Sequence, residues 1–368
     1  MASYIEIRQM HLAANSLSWL LEPDNPSVRL FVLRDLLGWT VDDPEVRKAQ
    51  AAVMHSPPVQ AILDKFCVPH YWDRLDDDVG EYARVRAHSV WMLLLAALGA
   101  NPAHPLVRQG CEFLFQTMQR NDGAFPTRHP VYGGVRTCAQ GLTTEALLRL
   151  SSISGCVRTP GFSRGIPAEA GRPPHTSHAE PETGPGLDPR LEQAIEFAAA
   201  MGYECPYNGN LPCAWGVVKL LRALAAVPAN QRDSAVAAAI ERGVGFLLQY
   251  DLAQADYPHS EAVSPEWFKF GFPRGYQSDV LETLDTLALL GCVPDRRLEA
   301  AVSLVVSKQG VDGRWRSEFV SPRAQEVGVD QEGEPSKWVT LRALRVLDWW
   351  STEGEATEGF PVLQPVVK

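Results

Sequence analysis

The sequence lacks any apolar run long enough to cross a bilayer. Its longest, "VWMLLLAALGA" (90–100), falls well short of the ~20 residues a spanning helix needs. Stable membrane insertion is therefore not expected. The N-terminal stretch "MASYIEIRQMHLAANS" has no apolar core preceded by basic residues, so no secretory signal is read there. Cysteine is sparse and unpatterned: seven residues, an odd count, with no CxxC pair. That usage fits reduced thiols in a cytoplasmic protein better than a disulfide framework. Positive charge is in deficit, with 34 Lys and Arg against 44 Asp and Glu, a net charge of −10. Nucleic acid is thereby excluded as the main partner, since a polyanion repels an acidic protein.

What the chain has is ordinary globular composition, 45% apolar and 21% charged over 368 residues, arranged in a repeating pattern. Six segments rich in Leu and Ala read as helices buried on most of their circumference: 26–38, 83–99, 137–150, 212–227, 276–291 and 335–350. More amphipathic helices fall between them, at 43–54, 104–119, 188–201, 233–249 and 294–309, several opened by Asp or Pro. A segment around "MHLAANSLSWLLE" (10–22) could supply a sixth outer member. Alternation of buried and half-exposed helices describes a closed ring, an all-α (α/α)6 toroid forming a single domain over 1–368. Two stretches stand apart. Residues 157–187, rich in Pro and Gly, read as a flexible insertion, and 351–368 as a loose C-terminal tail.

In such a ring an inner helix meets no free water, so its polar side chains must face the cavity or be satisfied by neighbours. That rule selects the candidate site. Asp279, Glu282 and Asp285 advance by three residues and share one arc of a helix, opposite Val280, Leu281 and Leu284. A carboxylic acid in that setting has a raised pKa and can donate a proton, making Asp279 and Glu282 candidate catalytic acids. Pairing with Arg222, Arg342 or Arg345 is the competing reading. His88, within "RVRAHSVW", is a further acid–base candidate. Trp215, Lys219 and Arg222 share another face. The loop "SPEWFKFGFPRGY" (264–276) adds Trp267, Lys269, Phe270, Phe272, Arg274 and Tyr276, aromatics suited to an apolar substrate or a carbocation and cations suited to an anion. Lys337, Arg128 and Arg136 also fall at or just before inner-helix starts, where an anionic group is favoured. Cys138, Cys205 and Cys213 stand at the starts of two inner helices and could supply metal ligands, with His129 or His259 as replacements. The acidic run Asp76–Asp78, with Asp73 before it, precedes the second inner helix.

Two segments carry a family resemblance. "KQGVDGRW" (308–315) and, in part, "QRNDGAF" (119–125) resemble the QW-type repeats of the squalene cyclase and protein prenyltransferase superfamily of α/α toroids. The chain looks most like the small single-toroid bacterial prenyltransferase and squalene-oxidase-repeat proteins. The resemblance implies an enzyme enclosing an isoprenoid, a prenyl diphosphate or a polyene, with Asp279 and Glu282 as acids. Trp215, Trp267, Phe270 and Tyr276 would line the cavity, and Lys219, Lys269, Arg274 and Lys337 would hold an anionic group. The sequence has no Asp-x-Asp-Asp motif of the kind class II terpene cyclases use to protonate polyenes. A zinc-dependent thiol-activating toroid and a non-catalytic toroid that binds a peptide or lipid are the alternatives. The cofactor is left open between none, zinc and magnesium, and so is a partner subunit.

Overall fold

The computed structural model describes residues 14–67, 71–72, 81–127, 133–151 and 187–351. Asp73, Asp76–Asp78, Arg128, His129, the insertion as far as residue 186 and the tail beyond Ser351 lie outside them. The described chain is mostly helical. Its first half holds α1 (Ala14–Leu20), α2 (Pro26–Phe31), α3 (Pro44–Val53), α4 (Pro57–Leu63), α5 (Glu81–Ala97), α6 (Pro105–Phe113) and α7 (Thr137–Leu150). Its second half holds α8 (Pro189–Ala200), α9 (Ala214–Ala226), α10 (Ser234–Leu247), α11 (Val280–Leu290), α12 (Glu299–Ser307), α13 (Pro322–Glu326) and α14 (Lys337–Trp350). Both α2 and α6 run on into a wider turn, Val32–Leu36 and Leu114–Met118. Among the described residues, strand structure is limited to three two-stranded antiparallel hairpins: β1 (Phe66–Cys67) with β2 (Tyr71–Trp72), β3 (Pro126–Thr127) with β4 (Gly134–Val135), and β5 (Glu204–Cys205) with β6 (Leu211–Pro212).

Start signals explain most helix boundaries. Proline occupies the first turn of α2, α3, α4, α6, α8 and α13, where its missing N–H is not needed. Asn25, Asp188, Asp233, Asp279 and Ser336 cap helices through side-chain oxygens.

Burial sorts the helices into two kinds. In α9, α11 and α14 nearly every residue is buried, so these have no solvent face. Inner helices contact one another in the order α5, α7, α9, α11, α14 and α2, and α1, α3, α6, α8, α10 and α12 pack on their backs. The closest pair is α7 with α9. A Cβ on Gly141 would lie 2.5 Å from the Lys219 carbonyl, so only glycine admits this approach. Gly99, just after α5, lies against Phe31 of α2.

The two related segments build the same turn. Gly123 N donates to Arg120 O and Arg120 N to Ala124 O. Correspondingly, Gly313 N donates to Gly310 O and Gly310 N to Arg314 O. Asp122 and Asp312 accept from the backbone two residues on, and Gly123 and Gly313 hold φ of +87° and +78°. The closing aromatics are buried, and each donates its backbone N–H into the next inner helix: Phe125 to Gln140 and Trp315 to Thr340. A Cβ on Gly123 would meet the Gln193 carbonyl at 2.1 Å, so this turn is a brace between layers. Two helices, α4 and α13, and the hairpins were not legible from apolar periodicity, because each is too short to show a period.

Candidate functional site

The inner helices surround a cavity of about 140 Å³. Volumes of that size hold roughly one aromatic ring in other proteins. Its walls differ in chemistry. Val90, Leu93, Leu94 and Ala97 of α5, with Leu142 and Ala146 of α7, make an aliphatic side. Lys219, Arg222, Glu282, Arg342 and Arg345, from α9, α11 and α14, make a charged side. Phe31, Phe272 and Trp338 form an aromatic corner between them. Phe272 stacks on Trp338 at 3.9 Å between centroids, and Phe31 tilts against the same indole at 6.0 Å.

The charged side is a lattice. Lys219 donates to Glu282, both buried. Arg222 holds Glu145 at 3.0 Å and approaches Asp285 at 3.5 Å. Arg345 grips Asp285 through two nitrogens at 2.6 and 2.9 Å and reaches Asp35 at 2.8 Å. Four buried cations, Lys219, Arg222, Arg342 and Arg345, meet four buried acids, Asp35, Glu145, Glu282 and Asp285. Burial works against ionising Glu282, but Lys219, Arg222 and Arg342 outweigh it and hold its pKa below the usual range. Glu145 is drawn down to about 2 in the same way, burial being outweighed by Arg222 and Arg149. The surrounding cations thereby favour the ionised form of both Glu282 and Glu145. Arg342 is the loosest member, 3.7 Å from Glu282 and 3.8 Å from Asp285, with its guanidinium over the Phe272 ring.

Asp279 differs from its neighbours on the same stretch. It is not on the helical arc that the spacing of three predicts, because α11 begins one residue later. Its backbone is extended, and its Oδ1 caps the helix by accepting from Glu282 N at 2.6 Å. Burial pushes its pKa up to about 6, opposed by Arg274. Arg274 lines the cavity, fully buried, with Nε 3.3 Å from Asp279 Oδ2, an ion-pair distance in a geometry that makes no hydrogen bond. Asp279 Oδ2, Arg274 Nε and Nη1, Ser278 Oγ and Glu266 Oε2 are all buried without a hydrogen-bond partner among the described residues. So many orphans in one corner contrast with the saturated lattice beside it.

The remaining candidates scatter. His88 is a core histidine: its Nε2 meets Gly110 O at 3.0 Å, its ring packs on Phe113, and burial lowers its pKa to about 4. Trp267 and Phe270 belong to the core rather than the cavity wall, Trp267 donating to Leu252 O and Phe270 lying under Lys308. Trp215 is half-buried and touches Tyr276, which is 56% exposed, and neither lines the cavity. Lys269 is a surface residue bonded to Glu266 at 2.8 Å. Lys337 is engaged by Glu22 and Asp24. Arg136 donates to Gly133 O in its own loop.

Cys138, Cys205 and Cys213 gather at the start of α7 and α9. The neighbouring Cys205 and Cys213 thiols draw each other's pKa apart, that of Cys205 downward and that of Cys213 upward. Among the described residues no group of three His, Cys, Asp or Glu side chains stands close enough to hold a metal ion. Lining residues not singled out from sequence include Phe31, Trp338, Asp35, Glu145 and Arg149, while Phe272 was read only as a loop aromatic and Arg342 only as a partner for acids. Their signal was large side chains on helices that ought to be buried.

The chain matches no known protein-family description and none of the curated proteins. Among solved structures it is similar to the type II terpene cyclase MstE from Scytonema. A variant of that enzyme in complex with its substrate, geranylgeranyl dihydroxybenzoate, is 14% identical over 93% of this chain and 100% of that chain, with a TM-score of 0.39. A ligand-free variant is 13% identical over 83% of this chain and 97% of that chain, with a TM-score of 0.27. Likeness at those values does not bear on what this chain does.

Proposed function

We propose that the chain is a terpene-cyclase-like enzyme, an (α/α)6 toroid that holds the reacting end of an isoprenoid in its central cavity. The observation that carries this reading is Asp279, a buried carboxyl with one oxygen fixed by the helix N-terminus and the other unpartnered. With a pKa raised to about 6 by burial, it can keep a proton near neutral pH that an exposed aspartate would lose. The rest of the site serves the steps after protonation. Asp279 stands behind the cavity wall, 3.3 Å from the lining Arg274, and a shift of that side chain would bring it to the substrate; proton transfer from Asp279 to an alkene carbon then leaves a carbocation on the substrate and a carboxylate on the enzyme. Phe31 and Trp338 offer aromatic surface to that cation, while the faces of Phe272 are taken by Trp338 and Arg342. The aliphatic wall of α5 and α7 accepts the adjoining chain, and loss of a proton from the product cation restores the acid. The cavity is too small for several isoprene units, so only the reacting end is enclosed. Glu282, Lys219, Arg222 and Arg345 hold the walls in register rather than taking part. The metal-dependent alternative has no comparable support, and the non-catalytic one leaves the raised pKa of Asp279 without a use.

The test is incubation of the purified protein with isoprenoids of C10 to C20 length, free, as diphosphates and attached to aromatic acids, with mass analysis for an isomeric product. Wild type is expected to form one, and Asp279→Asn, which keeps the helix cap, to lose it at least 1,000-fold, about 4 kcal/mol in barrier. Turnover unaffected by Asp279→Asn would end the reading.

A further inference from the structure

The aromatic corner of the cavity holds a donor without an acceptor. Trp338 lies in the first turn of α14 and lines the cavity with Leu341, Arg342 and Arg345, which follow it on the same arc of that helix. Its side chain is only 3% exposed, and the indole Nε1–H has no hydrogen-bond partner among the described residues. The ring is held in place: Phe272 stacks on it at 3.9 Å with an interplanar angle of 11°, and Phe31 tilts against it at 6.0 Å. Both neighbours are hydrocarbon rings with no oxygen or nitrogen to offer. The lining carboxylates Asp35, Glu145 and Glu282 are engaged by Arg345, Arg222 and Lys219, and the indole bonds to none of them. Trp267, Trp315 and Trp349, by contrast, donate to backbone carbonyls at 2.8, 2.7 and 2.6 Å. Trp91 and Trp215, whose Nε1 atoms also make no hydrogen bond, do not line the cavity. A buried indole normally finds an acceptor, and leaving it stranded costs free energy. For Trp338, the cavity is where that acceptor can come from.

We propose that Trp338 is a specificity-determining residue whose indole N–H donates to a neutral oxygen of the substrate, a carbonyl, ether or hydroxyl group, at the aromatic corner. The inference rests on the reading of the cavity as the site of an isoprenoid and narrows it to oxygen-bearing ones. A hydrocarbon that fills the cavity seals the N–H away from any acceptor, while a ligand of the same shape with an oxygen satisfies it. The donor is single and uncharged, which matches a neutral acceptor; a carboxylate or phosphate gains about twice as much from charged donors. Because Phe272 fixes the indole plane, the N–H is presented in one direction and little ordering is needed on binding. The oxygen is thereby pinned beside Phe31 and Phe272, and the hydrocarbon remainder lies along the aliphatic wall of α5 and α7. Trp338 orients the substrate and takes no part in proton transfer.

Cyclohexanone and methylenecyclohexane share a shape and differ in a carbonyl against an exocyclic alkene, and one six-membered ring suits a cavity of about 140 Å³. Titration of the full chain, labelled with nitrogen-15, follows the indole N–H resonances and reads affinity and contact together. The Trp338 resonance is the one missing from Trp338→Phe and, independently, the one close to the Phe272 ring protons. Cyclohexanone is expected to bind at one saturable site and to move that resonance downfield, and methylenecyclohexane to bind without the downfield shift. Trp338→Phe keeps an aromatic ring against Phe272 and loses the donor. It should weaken cyclohexanone binding at least about fivefold and change methylenecyclohexane binding less than about twofold. Should the variant not fold, the shift in wild type decides. An unmoved Trp338 resonance under saturating cyclohexanone, equal losses for the two probes, or no saturable binding of either would overturn the proposal. A chain that anchors cyclohexanone at Trp338 yet converts no isoprenoid would instead overturn the proposed reaction and leave the anchor standing.

Discussion

Asp279 and Glu282 stand three positions apart, yet the two carboxyls behave oppositely. Glu282 lies in a lattice where each acid has a cation at close range, and it stays ionised. Asp279 sits against one misaligned arginine with an empty lone pair, and burial wins. Both are fully buried, so burial alone decides neither. The number and alignment of the cations around each does. A saturated ionic network fixes helix positions, whereas an unsaturated corner keeps capacity for a ligand.

Breaking the lattice should have the largest effect on stability. Asp285→Ala would strand Arg345, which spends two nitrogens on that carboxylate, and leave Arg222 and Arg342 short of a partner. A loss of about 3–5 kcal/mol is expected from denaturant unfolding. A loss under about 1 kcal/mol would show that the lattice is not the brace that the comparison needs.

The two kinds of acid should next separate by pH. Glu145, with a folded pKa of about 2, stabilises the fold above its unfolded value near 4.5, and that contribution is lost as pH falls. Asp279 has the reverse sign. Its folded pKa near 6 exceeds the unfolded value of about 3.8, so the folded state binds the extra proton. Its contribution is present in full below pH 4 and is lost as pH rises through 6, on the order of 2–3 kcal/mol. Asp279→Asn should therefore match wild type near pH 4 and exceed it in stability near pH 8. A constant difference across that range would show that Asp279 does not titrate as its burial implies.

Smaller effects sharpen the boundary of the corner. Ser278→Ala removes a buried hydroxyl that bonds to nothing among the described residues, so stability should change by less than about 1 kcal/mol and could rise. A buried serine engaged in the lattice would not be so easily lost, and a larger drop would reveal a partner for it. Lys269→Ala, at the exposed side of the same loop, should leave the melting midpoint unchanged.

Much of the architecture was legible in the residues. Leu- and Ala-rich helices alternating with amphipathic ones gave the two layers, since a helix without a polar face has to be covered on all sides. The cap and proline signals placed helix starts to within a few residues. The repeated Asp-Gly turn was legible from its glycine, since Gly123 and Gly313 both hold a positive φ. The site was less legible. The spacing of Asp279, Glu282 and Asp285 suggested three equivalent acids. What divided them was Asp279 falling at the cap position, together with the arrival of Lys219, Arg222, Arg342 and Arg345 from helices far along the chain. The loop 264–276 promised aromatics over a cavity, but Trp267 and Phe270 found partners in the core, and the loop lines the cavity through Phe272, Pro273, Arg274 and Gly275.

By itself, then, the sequence determined the helical layering, the turns that tie the layers and the rule that inner polar residues must be matched inside. It could not determine which acid is matched and which is left wanting, because each pairing joins residues some 60 to 310 positions apart, such as Arg222 with Asp285 or Asp35 with Arg345. Local pattern fixes which way a side chain leaves its helix. Only the packing of distant helices fixes what it meets there, and for a buried charge that meeting sets the pKa.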